Sequence, residues 1–275
     1  MNRFIYRYLL LLCSLLTAGS LNAETITVGG VGGMAPLMQK LADRFVQQHP
    51  AHNVTILHPP LGSGGGIRAL AGGRIDIAMS GRPLKEGEKG QSIPWLKTPL
   101  VLASQEGVLT NGLDSKLIAD IYAGRKTQWD NGLPMRLVIR GPEETEIKML
   151  RAHTKDIEEA ISVALKRTDL PVGVNDLDAL ALLRQIKGSI GTTTLGLLRT
   201  QGEKLKVFPL NGHQPSLDNL LKGHYPLARD YFLITPAELK PAAAAFVAFL
   251  QSAAAQKLAR QYDYIALPSE SIAAK

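Results

Sequence analysis

One cysteine, Cys13, occurs in 275 residues, and aromatic side chains make up only 5% of the chain. That thiol lies in the leading apolar run, so the remainder offers no disulfide and no cysteine chemistry, and its stability must come from packing. Lysine and arginine blocks are also missing. The formal charge is +7, but basic residues are interleaved with acids, which describes a solvated surface. No stripe of basic and aromatic residues is present, which argues against a nucleic-acid partner. Ser63 and Ser80 lack the G-x-S-x-G frame, because Leu61 and Ala78 occupy the glycine positions it needs. The histidines are scattered, with His49 and His52 in a polar loop, and no metal-ligand spacing appears. An enzyme, a cofactor and a bound metal are therefore not expected.

What is present suits ordinary globular structure, with 45% hydrophobic and 20% charged residues and no internal repeat or low-complexity linker. The opening "MNRFIYRYLLLLCSLLTAGSLNA" joins Arg3 and Arg7 to an apolar run that ends in small residues. It reads as a secretory signal peptide over residues 1–23, cut after Ala23. A membrane anchor would need ~20 apolar residues, and Leu12 before Cys13 argues against a lipoprotein. Removing Arg3 and Arg7 takes the charge from +7 to +5.

From Glu24 the pattern alternates. A strand, "ETITVGG", is followed by "MAPLMQKLADRFVQQHP", whose Leu37, Leu41, Phe45 and Val46 share one helical face. Pro36 is tolerated in its first turn. A strand over 53–59, a glycine turn, a short helix around Ile67 to Leu70 and a strand over 75–80 complete a β-α-β-α-β unit. In such sheets ligands bind beyond the carboxyl ends of the strands. Further on, "DSKLIADIYAG" reads as helix, "MRLVIRG" as strand, and about Glu144 to Lys166 as one long helix. "GSIGTTTLGLL" and "KLKVFPLNG" close the middle region, the strand "YPLARDYFLIT" follows, and an alanine-rich helix begins at Pro241.

Gly62 to Gly66 precede a helix, so bare backbone N–H groups and the positive end of the helix dipole can face an anion, with the Ser63 hydroxyl as a further donor. The same glycines also suit a plain flexible turn with Ser63 as its cap. Ser80 and the Gly81 N–H, at a strand end, can reach the same space. A loose dinucleotide fingerprint at Gly30 to Ala35 lacks the acid that would hold a ribose, since the following strand ends in His58-Pro59.

Six ordered blocks now carry a resemblance: "GMAPLMQKLADRFVQQHP", "GSGGGIRALAGGRIDIAMSGRPL", "IADIYAGRKTQWDNG", "SIGTTTLGLL", "PSLDNLLKGHYPLARDYFLIT" and "FVAFLQSAAAQKLARQYDYIAL". The sequence resembles the periplasmic phosphate-binding proteins of ABC importers. The resemblance implies the α/β, two-lobe type II periplasmic binding protein fold with a two-stranded hinge. Lobe I would comprise 24–101 and 226–275, and lobe II 102–225. It also implies a periplasmic monomer that captures phosphate and hands it to an inner-membrane ABC permease. Carried over by position, the ligand groups are Gly33 and Met34 after the first strand, Ser63, Gly64 and Gly65, Ser80 and Gly81, and Arg140 with Glu144 and Thr145.

The chain departs from the family at three places. Gly32-Gly33-Met34 replaces a hydroxyl residue after the first strand, Gly81 replaces a serine or acid, and "RGPEETEIK" replaces the serine-glycine-threonine turn after the arginine. Unpaired carboxylates there would repel an oxyanion by roughly a few kcal/mol. Three readings stand, in this order: the acids decorate a helix start, Glu144 accepts the proton of a hydrogen phosphate, or the ligand is a zwitterionic phosphonate whose amine they receive. A sensor or partner-binding protein of the same fold is the rival from another class.

Overall fold

The strand Glu24–Gly30, β1, buries Ile26 and Val28 and leads through a short turn at Gly32–Met34 into the helix α1, Ala35–Gln48. This computed structural model describes residues 24–267, so the expected signal peptide lies outside the described residues. Leu37, Leu41 and Phe45 of α1 are fully buried, as the helical spacing predicts, with Pro36 in the first turn. The strand β2 (His52–Ile56) pairs in parallel with one side of β1. The helix α2 (Gly62–Ala71) then crosses back, and β3 (Ile77–Ser80) pairs in parallel with the other side.

The long strand β4 (Gln91–Ser104) is followed by α3 (Ser115–Tyr122) and two short strands, β5 (Arg136–Leu137) and β6 (Ile139–Arg140). Helices α4 (Thr145–Arg151) and α5 (Lys155–Ala164) precede β7 (Val172–Gly173) and α6 (Asp176–Gln185). The strand β8 (Ser189–Thr194), α7 (Leu195–Gln201), β9 (Lys206–Val207) and α8 (Leu217–Leu221) follow. The described chain ends with β10 (Ala228–Thr235), α9 (Pro241–Gln251), α10 (Ala253–Arg260) and β11 (Ile265–Ala266).

The main sheet runs β2-β1-β3-β10-β4-β8-β5, with β9 and β11 also on β4. The first part of β4, Gln91 to Pro99, pairs with β10, and Leu100 to Ala103 pairs with β8. Two large cores follow that division. Met34, Phe45, Leu96, Tyr231 and Phe246 belong to one, and Leu100, Ile118, Ile139, Ile147 and Phe208 to the other. β4 therefore ties together two separately packed bodies of side chains. β6 and β7 form a small parallel pair of their own.

Several sequence expectations change. The short helix expected around Ile67 to Leu70 starts at Gly62, so the glycines are helical residues rather than a turn before it. Close approach explains their use: a Cβ on Gly66 would lie 2.9 Å from the Gly30 Cα. The long helix expected from Glu144 to Lys166 is two helices, because Thr154 caps the second by accepting from the Ile157 N–H. Likewise Ser252 caps α10, and the alanine-rich segment bends by 55° there. The strand expected in "MRLVIRG" splits, with Leu137 pairing with β8 and Arg140 with β7.

Candidate functional site

The ends of β1, β3, β6 and β7 open onto one cleft of about 770 Å³. These are carboxyl ends of parallel strands, the place where open α/β sheets put their ligands. Arg68, Arg82, Lys85, Arg140, Lys148 and Arg229 line it, against the carboxylates of Glu88, Glu143, Glu144 and Asp176. Cations outnumber acids on its walls.

One wall is the start of α2. Gly62 begins it with φ +67°, a left-handed conformation suited to glycine. Ser63 and Gly64 line the cleft, and the first turn of a helix leaves its N–H groups without intrahelical partners. The Ser63 hydroxyl accepts a hydrogen bond from the Gly81 N–H at 2.9 Å, which leaves its own proton to donate. Gly65 does not line the cleft: a side chain on it would meet Leu61. Ser80 is fully buried and donates to the Arg82 carbonyl at 2.6 Å, so its hydroxyl serves its own turn. Gly81 is short of room, since a Cβ would fall 2.3 Å from the Arg229 guanidinium. Met34 is fully buried in the first core. Its neighbour Gly33 donates its N–H to Asp176 Oδ2 at 3.0 Å.

The facing wall carries charge. Arg140, only 3% exposed, donates to Glu144 Oε2 at 2.8 Å and to Asp176 Oδ1 at 3.3 Å. Its buried Nε has no partner among the described residues. Glu144 occupies the cap position of α4 without capping it. Glu143 pairs instead with Lys148 at 2.7 Å, and Glu146 with Arg229 at 3.0 Å. The three glutamates thus face three cations, which removes the repulsion that unpaired acids would impose. Thr145 opens α4 on the same wall.

Arg229 and Glu146 form the deepest pair, both nearly sealed from solvent. The Arg229 guanidinium also donates to the Gly81 carbonyl at 3.1 Å and lies over the Tyr231 ring. Burial pushes the Glu146 carboxyl above its ordinary range, and the nearby Asp176 charge adds to this against the opposing pull of Arg229. Burial acts on Asp176 in the same sense, yet Arg140 and Arg229 together hold its carboxyl below the usual range. The two neighbouring acids are thus pushed in opposite directions. Glu146 Oε2 accepts no hydrogen bond from the described residues. Among the described residues, no group of three His, Cys, Asp or Glu side chains is arranged to hold a metal ion.

Arg229 and Asp176 escaped sequence reasoning, as did the burial of Glu146, one of the acids after Arg140. The signal for Arg229 was present: it is a charge at an inward position of its strand, in alternation with Tyr231 and Leu233. Asp176 opens a helix that the periodicity of the sequence did not reveal.

Two bodies sharing a sheet, with a polar cleft at their strand ends, are the architecture of periplasmic binding proteins. The chain belongs to that superfamily, since the PBP superfamily domain matches residues 17–254. It is 26% identical to protein SphX of Synechococcus elongatus over 277 residues, covering 90% of this chain and 79% of that protein. An ABC-type phosphate transport receptor from Vibrio cholerae superposes with a TM-score of 0.63 at 25% identity, over 88% of this chain and 100% of that one. A phosphate binding protein from Stenotrophomonas maltophilia gives 0.68 at 14% identity, over 90% and 91%, and speaks to the fold alone.

Proposed function

We propose that the protein captures a small oxyanion, inorganic phosphate first, in the periplasm and delivers it to an ABC permease without catalysis. The observation that carries this reading is the juxtaposition of Arg140, with a buried and unpartnered Nε–H, and the open first turn of α2 in a cleft whose cations outnumber its acids. A guanidinium and helix N–H groups are the donor types suited to a tetrahedral oxyanion. The ligand groups are Ser63, Gly64, Arg140 and Thr145, with Gly33 as a further N–H donor. Residues 24–101 and 226–275 act as one lobe and 102–225 as the other, closing over the ligand about β4 and β10. The similarity to the ABC-type phosphate transport receptor from Vibrio cholerae supports phosphate as the first ligand. Each glutamate after Arg140 already faces a cation, which puts an amine-bearing ligand behind phosphate.

A thermal-shift screen of the purified protein with phosphate, sulfate and 2-aminoethylphosphonate tests this. A ligand at a hundred times its dissociation constant adds ~2.7 kcal/mol, which raises the midpoint by roughly 5–10 °C in a domain of this size. Stabilisation by phosphate is expected. No shift with any of the three would defeat solute capture and favour the sensor or partner-binding alternative.

A further inference from the structure

Acids at a helix start ordinarily face that helix's own N–H groups. At α6 that work is done by others: Asn175 accepts from the Leu177 and Asp178 N–H groups at 3.0 Å, and Asp178 accepts from the Val174 N–H at 2.9 Å. Asp176 turns away from its helix into the cleft. Its two oxygens take the Gly33 N–H at 3.0 Å and the Arg140 guanidinium at 3.3 Å. These donors lie 143 and 36 residues away in the chain. Gly33 leads directly into Met34 of the first core, whereas Arg140 adjoins Ile139 of the second. The carboxylate therefore bridges the two bodies of the molecule.

Both donors are ones that an external oxyanion needs in the function proposed above. The rest of that wall is engaged in the same way, with Glu144 on Arg140 and Glu146 on Arg229. We propose that Asp176 is a resident anion: its carboxylate occupies the Gly33 and Arg140 donors in the empty protein, and an incoming oxyanion has to compete with it for them. Asp176 thereby sets the affinity and the selectivity of the cleft. The guanidinium groups of Arg140 and Arg229 keep it charged, as such a competitor must be. A fully ionised ligand meets this negative charge undiminished, so sulfate is held back more than hydrogen phosphate, whose proton can be donated to it.

The proposal rests on the oxyanion reading of the cleft, and one set of titrations separates the two. Inorganic phosphate and sulfate are titrated calorimetrically into the natural protein, Asp176→Asn and Asp176→Ser, with circular dichroism confirming that each is folded. Asparagine keeps the shape without the charge, and serine also withdraws the acceptor from Gly33. The expected result is phosphate binding at least tenfold tighter in Asp176→Asn, tighter again in Asp176→Ser, and a larger gain for sulfate. Weaker or unchanged phosphate binding in both variants, with the natural protein still binding, would overturn the resident anion and leave phosphate capture standing. Binding by the variants alone would support the resident anion and overturn phosphate capture by the natural chain. Binding by none of the three would overturn both.

Discussion

The wall of the cleft built from Gly62 to Gly64 and the wall built from Arg140 to Lys148 with Asp176 are made of unlike chemistry. On the first, the donors are a hydroxyl and backbone N–H groups at a helix start, and among the described residues no carboxylate pairs with them. On the second, the cations are permanent, and each faces an acid of its own chain. Backbone donors cannot be titrated away and carry no net charge, so that wall changes little between empty and occupied states. The charged wall starts from a neutralised arrangement and has to exchange partners when a ligand arrives. In the proposed function, affinity is set largely by what the acids give up, and the glycine-rich wall fixes position.

The deepest pair gives the largest expected effect. Arg229→Met leaves Glu146 buried without its cation and should cost about 3–5 kcal/mol in urea unfolding, while the double change Arg229→Met with Glu146→Leu should recover most of that loss. A double variant as unstable as the single one would contradict the assignment of the cost to an unpaired charge. Arg140→Ala removes the guanidinium shared between ligand and acids. At about 1.5–3 kcal/mol for each hydrogen bond to a charged group, phosphate affinity measured by calorimetry should fall by about a hundredfold. Ser63→Ala acts on the other wall and removes one such bond, so about a tenfold loss is expected. Unchanged affinity in both variants would take these residues out of the site.

The pH response sharpens the contrast further, because only the charged wall titrates. Glu146, ordinarily near 4.5, holds its proton more tightly in the folded protein than in the unfolded chain. The folded state therefore binds more protons between the two values, and stability declines as the pH rises from about 4.5 through the folded value. Glu146→Gln should remove that slope from a series of unfolding curves, and an identical slope in the variant would assign it elsewhere. The opposite shift of Asp176 contributes stability that is lost only as the pH falls below its usual range. The smallest effect is expected of Glu144→Gln, whose side chain is 39% exposed. It should alter stability by no more than about 1 kcal/mol. A change in the preference for phosphate over sulfate would identify Glu144 as an acceptor of the ligand's proton.

Much of the frame was legible because periodicity is a local property. The face of α1, the β-α-β start and the approach of Ser63 and Gly64 to a strand-end cleft follow from short stretches, whereas Arg140, Glu144 and Thr145 were placed there by the family resemblance. Direction within a turn was less accessible. Met34 adjoins Gly33, yet its side chain points into the core while the Gly33 N–H points to Asp176. Ser80 shows the same limit, since its hydroxyl closes its own turn on Arg82. The buried pair was hidden for another reason: Arg229 and Glu146 are 83 residues apart, and the inward position of Arg229 in its strand does not tell which acid meets it. Only the fold brings them together.

The most direct test is a crystal structure of the protein grown with phosphate. The account predicts a tetrahedral anion held by the Ser63 hydroxyl, the Gly64 N–H and the Arg140 guanidinium, with Asp176 displaced from Gly33. Asp176 still bonded to both Gly33 and Arg140, in crystals whose cleft holds no phosphate, would contradict it.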